Sequence, residues 1–252
     1  MSKKKEERQL QIRQILEEKE KIKVAELAKL LSVTPETLRK DLDELQERKI
    51  LVREHGYAKI QSSSVETFVE LKAQKNKEMK KIVALEAFSR IENGMIVYLD
   101  SGSTILSALR NKSDITIVTN SILVAYECAN MNLNIIMAGG LLFNIGKRTY
   151  GHFATEIIDH LNIDLAIMGT DAFTEKSHGF TTISADELGF KRHVMNQSAK
   201  KIMISDASKV NNKADIAPYA FCKFNEFDEF ITNHLTPEQY DVVKTVKKVT
   251  QV

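Results

Sequence analysis

The stretch from Val24 to Asp43, VAELAKLLSVTPETLRKDLD, constrains the fold most, because it predicts two short helices joined by a tight turn. Apolar residues recur at helical spacing on both sides of the turn. Thr34 is placed to cap the second helix, and Pro35 suits the first helical position, where a missing N–H costs nothing. This pattern is typical of a helix-turn-helix, whose second helix lies in the DNA major groove.

A β-hairpin is predicted after the second helix. Apolar residues at 50–52 and at 58 and 60 flank the tip, where Gly56 permits a positive φ. The hairpin would complete a winged domain and bring basic side chains near the phosphates, unless these side chains are only solvated. The candidate DNA contacts on the helix and the wing are Thr34, Glu36, Thr37, Arg39, Lys40, Arg53 and His55.

These motifs resemble the N-terminal domain of DeoR-type bacterial transcription repressors. In that family the recognition helix usually reads T-I-R-R-D-L, and the wing tip reads His-Gly-Gly-Ala. This chain has TLRKDL at 37–42 and HGYA at 55–58, so it departs with Lys40 for Arg and Tyr57 for Gly. A lysine still neutralises a phosphate, but it cannot make the bidentate contact with guanine that arginine makes.

Length and charge are compatible with this organisation. A chain of 252 residues with 43% hydrophobic side chains can hold a small domain and a second one of about 150 to 180 residues. The net charge is +2, and the first 60 residues carry 15 Lys and Arg against 12 Asp and Glu. We expect a winged helix-turn-helix domain at 1–60, a polar linker at 61–77 and an effector domain at 78–252.

Other classes of protein are disfavoured. Cys128 and Cys222 lie far apart without a partner motif, which fits a reduced cytosol better than a disulfide framework. The basic N-terminus has no apolar segment behind it and no run of about 18 apolar residues occurs, so we expect a soluble cytoplasmic protein. The six histidines lack ligand spacing, so we expect neither a metal site nor a cofactor.

Helices and strands alternate from Met79 onward. This alternation predicts an α/β domain with a mainly parallel sheet covered by helices on both faces, where ligands bind at the carboxyl ends of the strands. The predicted helices are Met79–Ile91, Ile105–Leu109, Ile122–Asn130, Thr155–Leu161, Asp186–Ala199 and one after Pro237. The predicted strands are Met95–Leu99, Ile115–Val118, Asn134–Ala138, Leu165–Met168, Lys201–Ser205 and, as the last, Glu229–Thr232.

Small polar residues follow four of these strands, which predicts a pocket. Hydroxyls and glycine at a helix start offer N–H donors to a phosphate, although a capped turn would also explain the first group. Lys147, Arg148 and His152 follow Gly146, and either one of them reaches the pocket or all three are solvated. The strand-end candidates for effector binding are Asp100, Ser101, Gly102, Ser103, Thr104, Thr119, Asn120, Gly139, Gly140 and Asp171.

The second half resembles the C-terminal domain of the same family. The matching segments, in family order, are LDSGST at 99–104, VTNS at 118–121, Gly139 with Gly140, Glu187 with Lys191, and DASK at 206–209. The resemblance spans about residues 6–233 and implies a Rossmann-like domain, similar to ribose-phosphate isomerases, that binds phosphorylated sugars. It implies that residues 101–104 hold the phosphate, that Asp100, Asn120 and Asp171 meet sugar hydroxyls, and that Lys191 lies near the phosphate or carbonyl.

Two further readings remain open. Glu187 and Lys191 lie at i, i+4, and with Asp100 or Asp171 they could catalyse an aldose-ketose isomerisation; alternatively they form an exposed helix ion pair. The chain could also be an architectural DNA-binding module. We favour binding without turnover, since an isomerase gains nothing from a DNA-reading domain. The sequence thus predicts a cytoplasmic repressor of a carbohydrate-utilisation operon. Its expected partners are double-stranded operator DNA, a phosphorylated sugar and further copies of itself in a homodimer or homotetramer.

Overall fold

The chain folds as two compact units, residues Met1–Thr67 and Phe68–Val252. The computed structural model describes residues 5, 8–9, 11–12, 15–16, 19, 21–47, 50–60, 76–100, 109, 114–131, 133–143, 146–174, 179–210 and 217–252. Most of the predicted linker and of the predicted helix at 105–109 lies outside these residues. The predicted domain boundaries stay predictions.

The first unit is a winged helix-turn-helix, as predicted. Where it is described between residues 5 and 19, the backbone is helical. The elements that follow are β1 (Lys21–Lys23), α1 (Val24–Leu30), α2 (Pro35–Glu47), β2 (Leu51–Glu54) and β3 (Tyr57–Ile60). The strands form an antiparallel sheet in the order β1-β3-β2. Strand β1 was not predicted, because three residues are too few for a periodic pattern.

Local sequence signals account for this domain. The Thr34 hydroxyl accepts from Thr37 N at 3.2 Å, which confirms the predicted cap, and α2 begins at Pro35. Gly56 has φ +79° at the tip of the β2–β3 hairpin, as predicted. The inner face of α2 is also anchored by a buried carboxylate, since Arg8 Nε donates to Asp41 Oδ2 at 2.5 Å.

The second unit is an α/β domain, which confirms the predicted fold class. Its helices are α3 (Lys77–Phe88), α4 (Ile122–Ala129), α5 (His152–Asp159), α6 (Ala185–Gln197) and α7 (Pro237–Val243). Its strands are β4 (Ile96–Leu99), β5 (Thr116–Thr119), β6 (Asn134–Met137), β7 (Leu141–Phe143), β8 (Arg148–Tyr150), β9 (Ile163–Gly169), β10 (Ala172–Thr174), β11 (Gly179–Thr182), β12 (Ser198–Ile204), β13 (Tyr219–Ala220), β14 (Glu229–Thr232) and β15 (Val249–Gln251). Seven of them form a parallel sheet in the order β15-β14-β12-β9-β4-β5-β6.

Side chains of the central strands alternate between two apolar cores, one on each face of the sheet. In β9, Leu165 and Ile167 belong to one core, whereas Ala166 and Met168 belong to the other. Helices α3 and α4 cover the first core, and α5, α6 and α7 cover the second. Because both faces are covered, the central strands are continuously apolar, as parallel strands usually are.

The structure corrects several boundaries. The strand at Glu229–Thr232 is not the last, because β15 pairs with it in parallel at the sheet edge. Helix α6 ends at Gln197 and β12 begins at Ser198, so the predicted strand starts three residues late. The hairpin β7–β8 and the small sheet β10-β11-β13 were not predicted, because these strands have only two to four residues each. None of the helices in the described part of the chain has the length and apolar content that a membrane span requires.

Candidate functional sites

The ends of four parallel strands meet at one edge of the sheet. Strands β9, β4, β5 and β6 are neighbours, so the residues that follow them lie side by side. Asp100 and Asn120 directly follow β4 and β5, and both are buried. The predicted meeting of these strand ends is confirmed. The phosphate candidates Ser101, Gly102, Ser103 and Thr104 lie outside the described residues.

Lys191 lies at the centre of this edge and is 2% exposed. Its ammonium group lies 2.8 Å from Asp100 Oδ2, 3.0 Å from Glu187 Oε1 and 2.5 Å from the Gly169 carbonyl oxygen. Burial alone would lower the pKa of Lys191, but the carboxylates of Asp100 and Glu187 raise it above its usual value, so the side chain is charged. An ammonium group has three N–H donors, and these three acceptors match that number.

Glu187 binds a second cation. Arg148 Nη1 lies 2.8 Å from Glu187 Oε2, and both side chains are 6% exposed. Burial alone would raise the pKa of Glu187, but Lys191 and Arg148 lower it below its usual value, so the carboxyl group is ionised. The interpretation of Glu187 and Lys191 as an exposed ion pair was therefore wrong. Of the three candidates in the loop, Arg148 is buried and contacts this charged cluster, whereas Lys147 and His152 are exposed.

Two tyrosines complete the cluster and were missed by the sequence analysis. The Tyr98 hydroxyl donates towards Asn120 Oδ1 at 3.2 Å and Asp100 Oδ1 at 3.4 Å. Arg148 Nη1 donates to the Tyr150 hydroxyl oxygen at 2.9 Å. Burial raises the pKa of both phenols well above the usual value, so each remains a neutral O–H donor. The spacing of Tyr98 from Asp100, two residues along one strand, was the signal that could have identified it.

The remaining strand-end candidates have mixed roles. Asp171 Oδ2 accepts from the Thr182 hydroxyl at 3.1 Å and from Ile183 N at 3.3 Å, and its charge acts on Glu187 and Lys191. The buried Thr119 hydroxyl is engaged with the backbone, since it donates to the Leu99 carbonyl oxygen and accepts from Ser121 N.

The glycine pair has a packing role. Gly140 has φ +131°, and a Cβ there would collide with the Tyr150 carbonyl oxygen. Gly139 precedes it, and a Cβ at that position would have open space around it. Only Gly140 is therefore required for the close approach of the hairpin β7–β8, and a ligand contact at either glycine stays a prediction.

The outer face of α2 presents the predicted DNA contacts to solvent. Thr34, Glu36, Arg39 and Lys40 are exposed and Thr37 is half-buried, whereas the leucines of the opposite face are fully buried. The Lys40 ammonium group lies 3.1 Å from Glu36 Oε1, in a pair whose side chains are 73% and 77% exposed. Such a pair opens at little cost when a phosphate approaches.

Arg53 lies on the wing, and two exposed lysines lie on the neighbouring strand β1. Arg53 donates to Asp43 Oδ1 at 2.5 Å and to Gln46 Oε1 at 3.0 Å, so it ties β2 to α2. The exposed Lys21 and Lys23 ammonium groups lie 5.7 and 5.8 Å from the centre of the Tyr57 ring. Neither lysine was among the predicted DNA contacts, because strand β1 was not predicted.

Comparison with known proteins places both halves in one family. Residues 8–64 match the DeoR-like helix-turn-helix domain, and residues 75–234 match the DeoR C terminal sensor domain. The chain is 30% identical to the HTH-type transcriptional regulator GlpR of Haloferax volcanii, over 90% of this chain and 89% of that protein. It is also 30% identical to the glycerol-3-phosphate regulon repressor of Escherichia coli strain K12, over 77% and 78% of the two chains.

Solved structures include a ribose 5-phosphate isomerase from Plasmodium falciparum, with a TM-score of 0.39 and 23% identity. That match covers 53% of each chain, so it spans about half of the isomerase. The family assignment rests on the two domain matches and on the relatives that align over most of their length. This chain belongs to the DeoR family of DNA-binding transcriptional regulators.

Proposed function

We propose that this protein represses a carbohydrate-utilisation operon and that a phosphorylated sugar, bound at the carboxyl edge of the sheet, controls its affinity for operator DNA. The observation that carries the proposal is the buried cluster of Lys191, Arg148, Glu187 and Asp100 at that edge, with the partly buried Asp171 close enough for its charge to act on it. Buried charges are costly unless they are paired, and they concentrate at functional sites. A relative is named for a phosphorylated polyol, which supports this class of effector.

The carboxylates in this cluster suit the hydroxyl groups of a sugar. Asp100, Asp171, Glu187 and Asn120 supply oxygen acceptors, and carboxylates form strong hydrogen bonds with hydroxyl donors. Lys191 positions two of these carboxylates, because its three donors are engaged by protein acceptors. We therefore assign the sugar hydroxyls to this cluster. We assign the phosphate to residues 101–104, since the three carboxylates of the cluster outnumber its two cations and a phosphate among them would be repelled.

We propose that the outer face of α2 recognises the operator sequence. Arg39, with Thr34, Glu36 and Thr37, would meet base edges, whereas Lys40 and His55 would meet phosphates. Arg53 would orient the wing through its contacts with α2, and Lys21 and Lys23 would add phosphate contacts. Operators read in this way usually have twofold symmetry, so we propose a homodimer or homotetramer that acts on DNA in the cytoplasm.

We propose that the pocket binds its sugar without turnover. Three of the candidate acid and base residues are already paired with one another, since Asp100 and Glu187 both form ion pairs with Lys191. A transcriptional regulator needs a change in affinity rather than a product. Incubation of the full chain with aldose and ketose phosphates should leave them unchanged, and product formation that the Lys191→Met variant lacks would establish an isomerase instead.

A thermal-shift screen of the full chain against phosphorylated pentoses, hexoses, hexitols and glycerol tests the effector class. A ligand present at about 100 times its Kd should stabilise the sensor domain by about 2.7 kcal/mol. Asp171→Asn should abolish this shift while operator binding is retained, and Asp159→Asn, at an exposed position on α5, is the matched control. If no phosphorylated compound raises the Tm, the proposed effector class is wrong.

Operator titrations with and without the sugar test the control of DNA binding. Linkage requires that operator DNA change effector affinity by the same factor as the effector changes operator affinity. Equal effector affinity with and without operator would contradict the proposed control. Ser103→Ala should retain operator binding and lose the response to the sugar, and a variant that responds normally would refute the phosphate assignment.

A further inference from the structure

One face of the three-stranded sheet in the first unit is basic. Ile22, Leu51 and Ala58 are buried on its inner face, and neighbouring residues of a strand point to opposite faces of the sheet. The outer sheet face therefore consists of Lys21 and Lys23 on β1, Val52 and Glu54 on β2, and Tyr57 and Lys59 on β3. Because this face carries three lysines and one glutamate, it attracts anions.

Two of these lysines have an aromatic ring as their neighbour instead of a carboxylate. Lys59 Nζ lies 2.7 Å from Glu54 Oε2, whereas neither Lys21 nor Lys23 forms an ion pair with a carboxylate of the described residues. Their ammonium groups lie 5.7 and 5.8 Å from the centre of the Tyr57 ring. The face of an aromatic ring attracts a cation that lies within about 6 Å of its centre. One ring therefore attracts two lysines whose charges no described carboxylate neutralises.

The backbone fixes the position of this ring. Lys23 and Tyr57 are direct partners in the antiparallel pairing of β1 with β3. Val24 N donates to the Gly56 carbonyl oxygen at 3.0 Å, which extends the contact between the two segments to the hairpin tip. At the tip, His55 and Gly56 both have positive φ, +49° and +79°, as in the two-residue turns that match the twist of the strands. The ring therefore projects from a backbone that is held on both sides.

The phosphate backbone of DNA is the anion that suits this pair of lysines. Lys21 and Lys23 are two residues apart in a strand, so their Cα atoms are about 6.6 Å apart. A DNA strand carries a phosphate at about every 3.4 Å of the helix axis, so both ammonium groups can bind phosphates of one strand. A long side chain loses rotamer freedom when it binds, and contact with the ring reduces this loss because it restricts the side chain beforehand.

A purely structural role for Tyr57 is the alternative. The buried core of the first unit, in its described part, consists of aliphatic side chains and includes no aromatic residue. Tyr57 is half-buried on the opposite face of the sheet, away from this core. The only charged groups for which a contact with its ring is observed are the two lysines. The position of the ring therefore favours a role towards the lysines over a role in the core.

We infer that Tyr57 is a positioning residue for DNA binding. Its ring holds Lys21 and Lys23 side by side on the outer sheet face, where they bind phosphates of the DNA backbone. The inference rests on the phosphate contacts proposed for these two lysines, and it adds the residue that orders them. Phosphate contacts carry no sequence information, so Tyr57 strengthens binding to operator and to random DNA by the same factor.

Fluorescence-anisotropy titrations of the full chain with operator and with random duplex DNA test the inference. Tyr57→Leu should weaken binding to both duplexes by about 3- to 10-fold, because both lysines must then be ordered on binding. Tyr57→Phe keeps the ring and should bind both duplexes as the wild type does. Tyr240→Leu replaces an exposed tyrosine of the second unit, so it is the matched control and should bind normally.

A double-mutant cycle separates a positioning role from a structural one. In a chain that carries Lys21→Ala and Lys23→Ala, Tyr57→Leu should cause no further loss of affinity, because the ring has no lysine left to hold. A further loss of the same size in that chain, normal affinity of Tyr57→Leu, or weakened binding by Tyr57→Phe would overturn the inference. If the two alanine substitutions by themselves leave DNA affinity unchanged, the proposed phosphate contacts are wrong, and the inference about Tyr57 is wrong with them.

Fluorination of the ring covers the case in which Tyr57→Leu unfolds, which circular dichroism and Tm would reveal. Fluorine atoms added to the ring of the Tyr57→Phe protein keep its shape but weaken the negative charge of its face, which attracts the lysines. Affinity for both duplexes should fall with each added fluorine, and Lys21→Ala with Lys23→Ala should abolish this dependence. Equal affinity at every degree of fluorination would contradict the inference.

Discussion

The two units contain the same Glu-x-x-x-Lys spacing in different surroundings. In α2, Lys40 lies 3.1 Å from Glu36, with side chains 73% and 77% exposed. In α6, Lys191 lies 3.0 Å from Glu187, with side chains 2% and 6% exposed. Equal spacing and nearly equal distance therefore coexist with opposite solvation. The spacing determines that the two side chains form an ion pair, and the position of the helix determines how much that pair contributes to stability.

Solvation sets the energies of the two pairs. An exposed i, i+4 pair contributes about 0.3 to 0.5 kcal/mol and is screened by salt. A buried pair loses its hydration, and it is tolerated only when further partners satisfy both charges. Asp100, Arg148 and the Gly169 carbonyl group supply those partners around Glu187 and Lys191. The first pair is therefore free to exchange partners with DNA, and the second is fixed.

The largest expected effect contrasts these two lysines directly. Lys191→Met removes the only cation that holds both Asp100 and Glu187 in the described part of the buried cluster, so the free energy of unfolding should fall by about 3 to 5 kcal/mol. Lys40→Met should change it by less than about 0.5 kcal/mol. Urea unfolding of the full chain measures both. Equal losses of unfolding free energy in the two variants would show that burial does not make the two ion pairs differ in their contribution to stability.

A pH series extends the comparison to carboxylates. Burial alone would raise the pKa of Glu229, but Arg90, Thr250 and Lys248 lower it from 4.5 to about 2. A lowered pKa stabilises the fold above pH 4.5, and this contribution of about 2 to 3 kcal/mol is lost as the pH falls towards 2. Glu229→Gln should remove that part of the acid dependence of urea unfolding, whereas the exposed Glu92→Gln should retain it. An unchanged slope in Glu229→Gln would contradict the assignment.

On the exposed side, Arg39→Ala should cost about 1 to 3 kcal/mol in operator binding if the arginine meets a base edge. The loss should be larger on operator than on random DNA, and titrations of both measure the difference. An equal loss on both would mean that Arg39 contacts only phosphates. The stability of the protein should not change, because Arg39 is exposed.

The smallest expected effect is on the salt dependence of DNA binding. Each lysine that neutralises a phosphate contributes about 0.9 to the slope of log Kd against log salt. Lys21→Ala and Lys23→Ala should each reduce the slope by about that amount, and Lys200→Ala, in the second unit, should not. If both variants have the same slope as the wild type, the lysines of β1 do not contact phosphates of the DNA.

Much of the fold could be predicted from the sequence, because its elements have local signals. The Thr34-Pro35 cap, Gly56 at the hairpin tip and the strand-helix alternation depend on neighbouring residues alone. The proximity of Asp100 and Asn120 could also be predicted, since adjacent parallel strands have their carboxyl ends at the same edge of the sheet. The hydroxyl and glycine residues after the first strand indicated a phosphate, and the family resemblance added the sugar.

The rest depends on tertiary contacts that no short pattern contains. The burial of Glu187 and Lys191 could not be read from α6, because an exposed pair has the same spacing. Arg148 was one of three equivalent candidates in its loop, and only the pairing of β8 with β7 selects it. Strand β15 was missed because three residues near the C-terminus acquire their conformation from β14.

The three acceptors around Lys191 have a consequence for ligand discrimination. Because the charges are already held in place, the proposed sugar would not have to order them, so more of its contact energy would appear as affinity. Because Lys191 and Arg148 still satisfy the carboxylates, a deoxy analogue would lose only the hydrogen bond that its hydroxyl adds, which is about 1.5 to 3 kcal/mol for a bond to a charged group. The rigidity of this cluster would then let the regulator distinguish sugars that differ at one carbon.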